Sequence, residues 1–282
     1  KLFLRSDQSF VDIVRVAVNA NDVDSCYDIA KELHSLGYSV FVNLMRIDAI
    51  TIDSLVEQVC LAESWGIVDV VYIADSFGGL DPSSIEDIVR RISSNCTIPL
   101  GVHAHDNKGY ALLNSLNAYK NGVTYIDSTV LGIGRGAGNT RTESLLIELS
   151  ELNCIKYHPE ALFLLVQDEF NILMDKYKWG FNICYQLAAI HSIHPSFIQT
   201  LMLDKYKINQ VFMAINFLKK IDASNYSLDT LASAISGTYV NQNGEWSASG
   251  FAKNKEVLII GSGPSANKYI EEIEKYIKTR SP

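Results

Sequence analysis

The stretch VDVVYIADSFGGLDPSSIEDIVRRISSNCTIPLGVHAHDN, Val68 to Asn107, holds one complete strand–helix–strand unit. It opens on a near-continuous apolar run, VDVVYIAD, which predicts a strand buried on both faces and therefore parallel to its neighbours. A glycine-containing bend follows. Next comes DPSSIEDIVRRISSN, an amphipathic helix with Asp81 at its cap and Pro82 at its first position. PLGVHAH is a second apolar run, and it ends on two histidines spaced two apart.

The same unit recurs in both directions from this stretch. DIVRVAV from Asp12, SVFVNLM from Ser39 and VTYIDSTV from Val123 read as further strands. DVDSCYDIAKELHSLG, TIDSLVEQVCLAESWG and KGYALLNSLNAYKNG read as the intervening helices. One strand plus one helix takes about 25 to 30 residues, the spacing of a (β/α)8 barrel. Five such units predict an α/β fold, a partial TIM barrel corresponding to strands 4–8. From TESLLIELSEL onward the pattern becomes helical, through HPEALFLLVQDEFNILMDKY, NICYQLAAIHSI, PSFIQTLMLDKY, NQVFMAINFLKKI and SLDTLASAIS. The expected layout is a barrel domain with its helices over 1–240, a polar linker over 241–254, and the start of a second, Rossmann-like α/β domain over 255–282. Both ends of the chain read as cut.

Bulk properties narrow the function classes. The chain has 282 residues, 48% hydrophobic and 20% charged, with a net charge of −8. An acidic chain lacks the basic excess that binding a phosphate backbone requires, so nucleic acid is not expected as a partner. No 18-residue apolar run and no signal peptide are visible, which argues against a membrane span and for a cytoplasmic protein. Cys26, Cys60, Cys96, Cys154 and Cys184 are scattered without a C-x-x-C pair, which suits a reducing compartment better than a disulfide framework.

Chemistry concentrates at the predicted strand ends. His103 and His105 are two apart and so share one face of their strand. They sit at its C-terminal end, where barrel enzymes build their sites. Two imidazoles side by side can hold a divalent cation, and a pair of ordinary hydrogen-bonded histidines is the alternative. Asp75 and Ser76 end the preceding strand; Asp75 either orients a ligand histidine or caps the following helix. In LGIGRGAGNT, Gly134, Gly136 and Gly138 permit close backbone approach, and a glycine-rich turn before a helix can cradle an anion. Asn139 either offers an amide oxygen to a hard cation or caps the next helix.

The ordered set YIADSFGG, GVHAHDN and DSTVLGIGRGAGNT resembles the DRE-TIM metallolyases, the superfamily that includes hydroxymethylglutaryl-CoA lyase. Together with MRIDAI, it looks most like the 4-hydroxy-2-oxovalerate aldolase branch. The resemblance covers roughly residues 11–152. It implies that His103, His105 and Asn139 are metal ligands and that Tyr185 faces the substrate, a buried helix tyrosine being the alternative. It also implies Mn2+ or Mg2+ as cofactor, a 2-oxo acid cleaved to pyruvate and an aldehyde, and possible homodimers. The family's Arg-Asp pair at the first barrel strand has no counterpart here; Arg5 and Asp7 read as a loop. On that ground the chain by itself is expected to be weakly active or inactive.

Two rivals remain open. One is an acyl-CoA enzyme of the isopropylmalate synthase or hydroxymethylglutaryl-CoA lyase type. The other is of a different class, a non-catalytic scaffold or a nucleotide-binding protein. The latter rests on EVLIIGSGPSANKYI, where Gly261, Gly263 and Ser265 form a candidate anion-binding turn with an incomplete G-x-G-x-x-G pattern. His191 and His194 read as helix-end or packing residues.

Overall fold

Five parallel strands, β1 (Ile13–Asn19), β2 (Ser39–Met45), β3 (Val70–Asp75), β4 (Leu100–Ala104) and β5 (Tyr125–Ile126), lie in the order in which they occur in the chain. This computed structural model describes residues 3–152, 160–204, 206–236 and 269–280. Each crossover carries a helix: α1 (Tyr27–Ser35), α2 (Ile52–Ser64), α3 (Pro82–Ser93) and α4 (Ala111–Lys120). The recurring β–α unit with a parallel sheet is the α/β architecture that the strand spacing predicts.

Alternation within the strands decides which face is covered. Val42, Leu44, Val71, Ile73 and Val102 point to the helices, where they pack against Leu55 and Val59 of α2 and Ile85, Val89 and Ile92 of α3. The opposite face carries Arg15, Phe41, Tyr72 and Tyr125. The Phe41 and Tyr72 rings are 6.2 Å apart, and Phe41 meets Tyr125 edge-on at 5.3 Å. Arg15 lies over the Tyr72 ring, 4.4 Å from its centroid.

The sheet is strongly curled. Arg15 belongs to the first strand and Asp127 follows the fifth, yet Nη1 of Arg15 reaches the Asp127 carboxylate at 2.8 Å. Four inter-strand steps in a flat sheet would separate these strands by roughly 19 Å. Only barrel-like curvature brings their side chains together, and the sheet is thus a partial barrel with its inner face toward Arg15.

The fifth strand is shorter than its sequence predicts. Only Tyr125 and Ile126 join β4, and the chain then turns at Leu131, whose φ is 53°. The cause is an alternative pairing: the Thr129 N–H donates to the Thr140 carbonyl at 3.0 Å, and Thr142 N–H returns to Thr129 at 3.0 Å. This pairing closes the glycine-rich loop into a compact turn.

Helices follow: α5 (Thr142–Glu151), α6 (Glu160–Leu165), a π-turn at Val166–Phe170, α7 (Asn171–Tyr177), α8 (Ile183–Ile190), α9 (Pro195–Leu203), α10 (Ile208–Lys220) and α11 (Leu228–Ser236). Tyr185, Phe197, Ile198, Leu201, Val211, Ile215 and Leu218 form a second core among α8–α11. Contacts divide the chain into two units, Lys1–Thr238 and Tyr239–Pro282. In the second unit, α12 (Ile270–Arg280) is described. The proposed linker over 241–254, the preceding strand and the turn at Gly261, Gly263 and Ser265 lie outside the described residues.

One expectation is overturned. Cys60 of α2 and Cys96 after α3 pair as a disulfide with a Cα–Cα separation of 5.7 Å. Packing of α2 beside α3 brings together two residues 36 positions apart, a proximity invisible to spacing rules. Among the described residues, no helix is long and apolar enough to cross a membrane.

Candidate active site

All five strands run the same way, so their C-terminal ends share one rim. His103 lies in β4 and His105 just beyond it, with their ring centroids 5.0 Å apart at a near-perpendicular angle. Both are anchored through Nδ1. His103 Nδ1 meets Asp127 Oδ2 at 2.8 Å, and His105 Nδ1 meets the Gly138 carbonyl at 3.2 Å. Each acceptor takes a hydrogen bond from Nδ1–H, so Nε2 is the ring atom turned away from these anchors and the one a metal would use. Burial, with the neighbouring His103 and Arg135 adding to it, pushes the His105 pKa down to about 3. It is therefore neutral at physiological pH.

Asn139 joins this pair through the chain itself. It forms an isolated bridge opposite His105, and its side-chain N–H donates to the Ile133 carbonyl at 3.1 Å. That bond fixes the amide orientation and leaves Oδ1 buried with no protein partner. A buried acceptor without a donor is costly unless a ligand completes it. The glycines make room for the arrangement. A Cβ on Gly134 would stand 2.5 Å from Asn139 Nδ2, and one on Gly136 would stand 2.9 Å from the Tyr185 ring. Gly138, at φ 88°, would collide with the Gly132 backbone if it carried a side chain.

Other candidates fall elsewhere. Asp75 does not touch a histidine. Its carboxylate accepts the N–H groups of Gly79 and Leu80 at 3.0 and 3.2 Å, bracing the bend ahead of α3, while Asp81 caps α3 itself. Burial, the largest influence, raises the Asp75 pKa to about 7. Ser76 stands on the rim, where its hydroxyl accepts the Arg46 N–H at 2.9 Å. Tyr185 is buried on α8, and burial raises its pKa to about 12. It lines a cavity of about 730 Å3 with Gly134, Gly136, Trp179 and Met202, whose lining includes neither histidine.

Two members of the rim escaped the sequence reading. Asp127 is the carboxylate that orients His103, and Arg15 is its second partner. Burial pushes the Asp127 pKa up, but the bonds from His103 and Arg15 outweigh it and leave it lowered. The signal was present: Asp127 lies two residues beyond Tyr125 and so on the same inward face. Elsewhere, Cys60, Glu63 and Cys96 are the one trio of acidic, thiol or imidazole ligand atoms close enough to share an ion among the described residues. The disulfide occupies its two sulfurs, and it lies toward the opposite end of β4.

Comparison with known proteins identifies the family and the fold. The profile of the family described as HMGL-like matches residues 8–163. A 4-hydroxy-2-oxovalerate aldolase from Carboxydothermus hydrogenoformans is 38% identical over 140 residues, 50% of this chain and 41% of that protein. One from Geobacillus genomosp. 3 is 37% identical over 145 residues, covering 50% and 42%. The chain thus spans less than half the length of these relatives. The crystal structure of the N-terminal domain of a candidate aldolase from Bacteroides vulgatus superposes with a TM-score of 0.64 at 29% identity, over 72% of this chain and 67% of that one.

Proposed function

The chain belongs to the HMGL-like family, and on that premise we propose that it carries the rim of a divalent-metal-dependent carbon–carbon lyase cleaving a 4-hydroxy-2-oxo acid to pyruvate and an aldehyde. The observation that carries this reading is the convergence of two histidines, each anchored through Nδ1, with the unpartnered Oδ1 of Asn139.

Nε2 of His103, Nε2 of His105 and Oδ1 of Asn139 would hold the cation. A mixed nitrogen and oxygen set without thiolate suits Mn2+ or Mg2+ better than a soft metal. When bound, such a cation supplies Lewis-acid stabilisation of the enolate that forms as the C–C bond breaks. Asp127 keeps His103 in the ligand tautomer, and Arg15 keeps Asp127 ionised. Ser76, whose oxygen already accepts from Arg46, retains its own proton for donation to a substrate oxygen. In the reaction the bond between C3 and C4 breaks, its electron pair passes toward the 2-oxo group, the 4-hydroxyl proton goes to a base, and a proton returned to C3 of the enolate completes pyruvate.

The test is pyruvate release from 4-hydroxy-2-oxovalerate in the presence of Mn2+, comparing the full-length protein with its His103→Ala variant. Metal-dependent release that falls by about a hundredfold or more in the variant is expected. Failure of the unaltered protein to release pyruvate from any of a series of 4-hydroxy-2-oxo acids would contradict the reading.

A further inference from the structure

Two arginines stand on the same rim and have no part in the metal set. Arg46 follows β2 and takes a left-handed backbone, φ 58°, while its N–H donates to the Ser76 hydroxyl. Its guanidinium lies 5.3 Å from the Phe77 ring centroid and donates through Nη1 to Asn225 Oδ1 at 2.8 Å. Its Nε–H is buried and has no acceptor. Arg135 comes from the glycine-rich turn and donates through Nη2 to the Ser76 carbonyl at 3.2 Å. Both arginines therefore meet at Ser76, one through its backbone and the other through its guanidinium.

Neither charge meets a carboxylate directly. Among the described residues neither guanidinium takes part in an ion pair. Asp48 is the acid that Arg46 influences; it is largely buried, burial raises its pKa, and its Oδ1 has no partner. Arg135 is exposed as a residue, but burial around its guanidinium lowers its pKa, and no acid opposes that. His194 stands close enough to both arginines to feel their charges. Its Nδ1 accepts the Ser196 N–H at 3.3 Å, so Nε2 bears the ring proton as a donor. The His194 ring meets the Phe77 ring edge-on at 5.8 Å between centroids, and Arg46 lies over that same Phe77 ring.

We propose that Arg46 and Arg135, with the Nε2–H of His194, form an oxyanion subsite that receives a carboxylate or phosphate group on the aldehyde half of the substrate. Two guanidiniums without a direct ion pair, one with an unused N–H, suit an oxyanion. Under the lyase reading, on which this placement rests, the carboxylate of the 2-oxo acid is engaged at the metal ligands. The arginines are then available for a second acidic group, so the preferred substrate is doubly anionic.

Binding can be read without turnover. Inorganic phosphate and malonate are titrated separately into the metal-free protein, into Arg46→Gln and Arg135→Gln, and into Arg135→Lys. At least one oxyanion should bind, with affinity lowered roughly tenfold or more in each Gln variant and partly restored by Lys. Which of the two binds more tightly distinguishes phosphate from carboxylate. Circular dichroism of each variant confirms that the fold is retained. Absence of binding by either anion, or equal binding by unaltered protein and folded Gln variants, would overturn the subsite. Turnover then tests the placement: the kcat/KM preference for 4-hydroxy-2-oxoglutarate or its phosphate-bearing analogue over 4-hydroxy-2-oxovalerate should fall at least tenfold in Arg135→Gln. Arginine-dependent anion binding without any pyruvate release would sink the lyase reading and spare the subsite. Pyruvate release with no anionic preference would do the reverse.

Discussion

Asp127 decides how His103 presents itself. Its Oδ2 accepts the Nδ1–H at 2.8 Å, and no other described residue offers His103 a carboxylate at this distance. Replacing a carboxylate that orients a ligand histidine typically weakens metal binding by 10- to 100-fold. Asp127→Asn should therefore lower Mn2+ affinity by about that factor while the fold persists, as calorimetry and circular dichroism can show. Gly134→Ala tests Asn139 from the other side. The added methyl would press on Asn139 Nδ2 and displace the amide, so Mn2+ should bind more weakly although no ligand has been changed. At this scale residue type and strand-end position single out His103, His105 and Asn139, and the structure brings the three to one rim; their ligation remains the proposal. The sequence was less telling for Asp127: alternation puts it on the inward face, but a lone Asp after a strand has many roles, and only the β4–β5 register sets it beside His103 and only sheet curvature brings it Arg15. Asp75, by contrast, offered two readings, and the backbone N–H groups of the adjacent bend claim it.

At the scale of elements, strand and helix order follows the hydrophobic pattern closely, since a buried parallel strand can be little else than a Val- and Ile-rich run. Helix α3 shows the same consistency: Asp81 Oδ1 accepts the Ser84 N–H at 2.9 Å, and Pro82 occupies the first turn. Asp81→Ala should cost about 1 kcal/mol of stability, measurable by urea unfolding. Where local pattern and long-range pairing disagree, pairing wins. The run VTYIDSTV has strand-like composition throughout, yet Thr129 pairs with Thr140 and Thr142 and ends β5 at Ile126. The Cys60–Cys96 pair has the same origin, in helix packing that single-sequence reading does not resolve.

For the molecule as a whole, one half-buried and one buried group give opposing dependences of stability on pH. His194 has a folded pKa of about 4, below its ordinary value of 6.5. The unfolded chain binds its proton more readily, so its contribution is complete above about pH 6.5 and is lost as pH falls toward 4. Asp75 has a folded pKa of about 7, above the ordinary 3.8. Here the folded state holds the proton, so stability is lost as pH rises from about 4 to 7. His194→Asn, which can still cap α9, should flatten the loss on acidification; Asp75→Asn should steepen it. Thermal unfolding from pH 4 to 7.5 measures both slopes. The central claim concerns the rim as a unit, and calorimetric titration of Mn2+ into the protein and into His103→Ala/His105→Ala tests it most directly. Site-dependent binding that disappears in the double variant is the predicted result. Equal binding by both proteins, or no binding by the unaltered protein, would contradict the account.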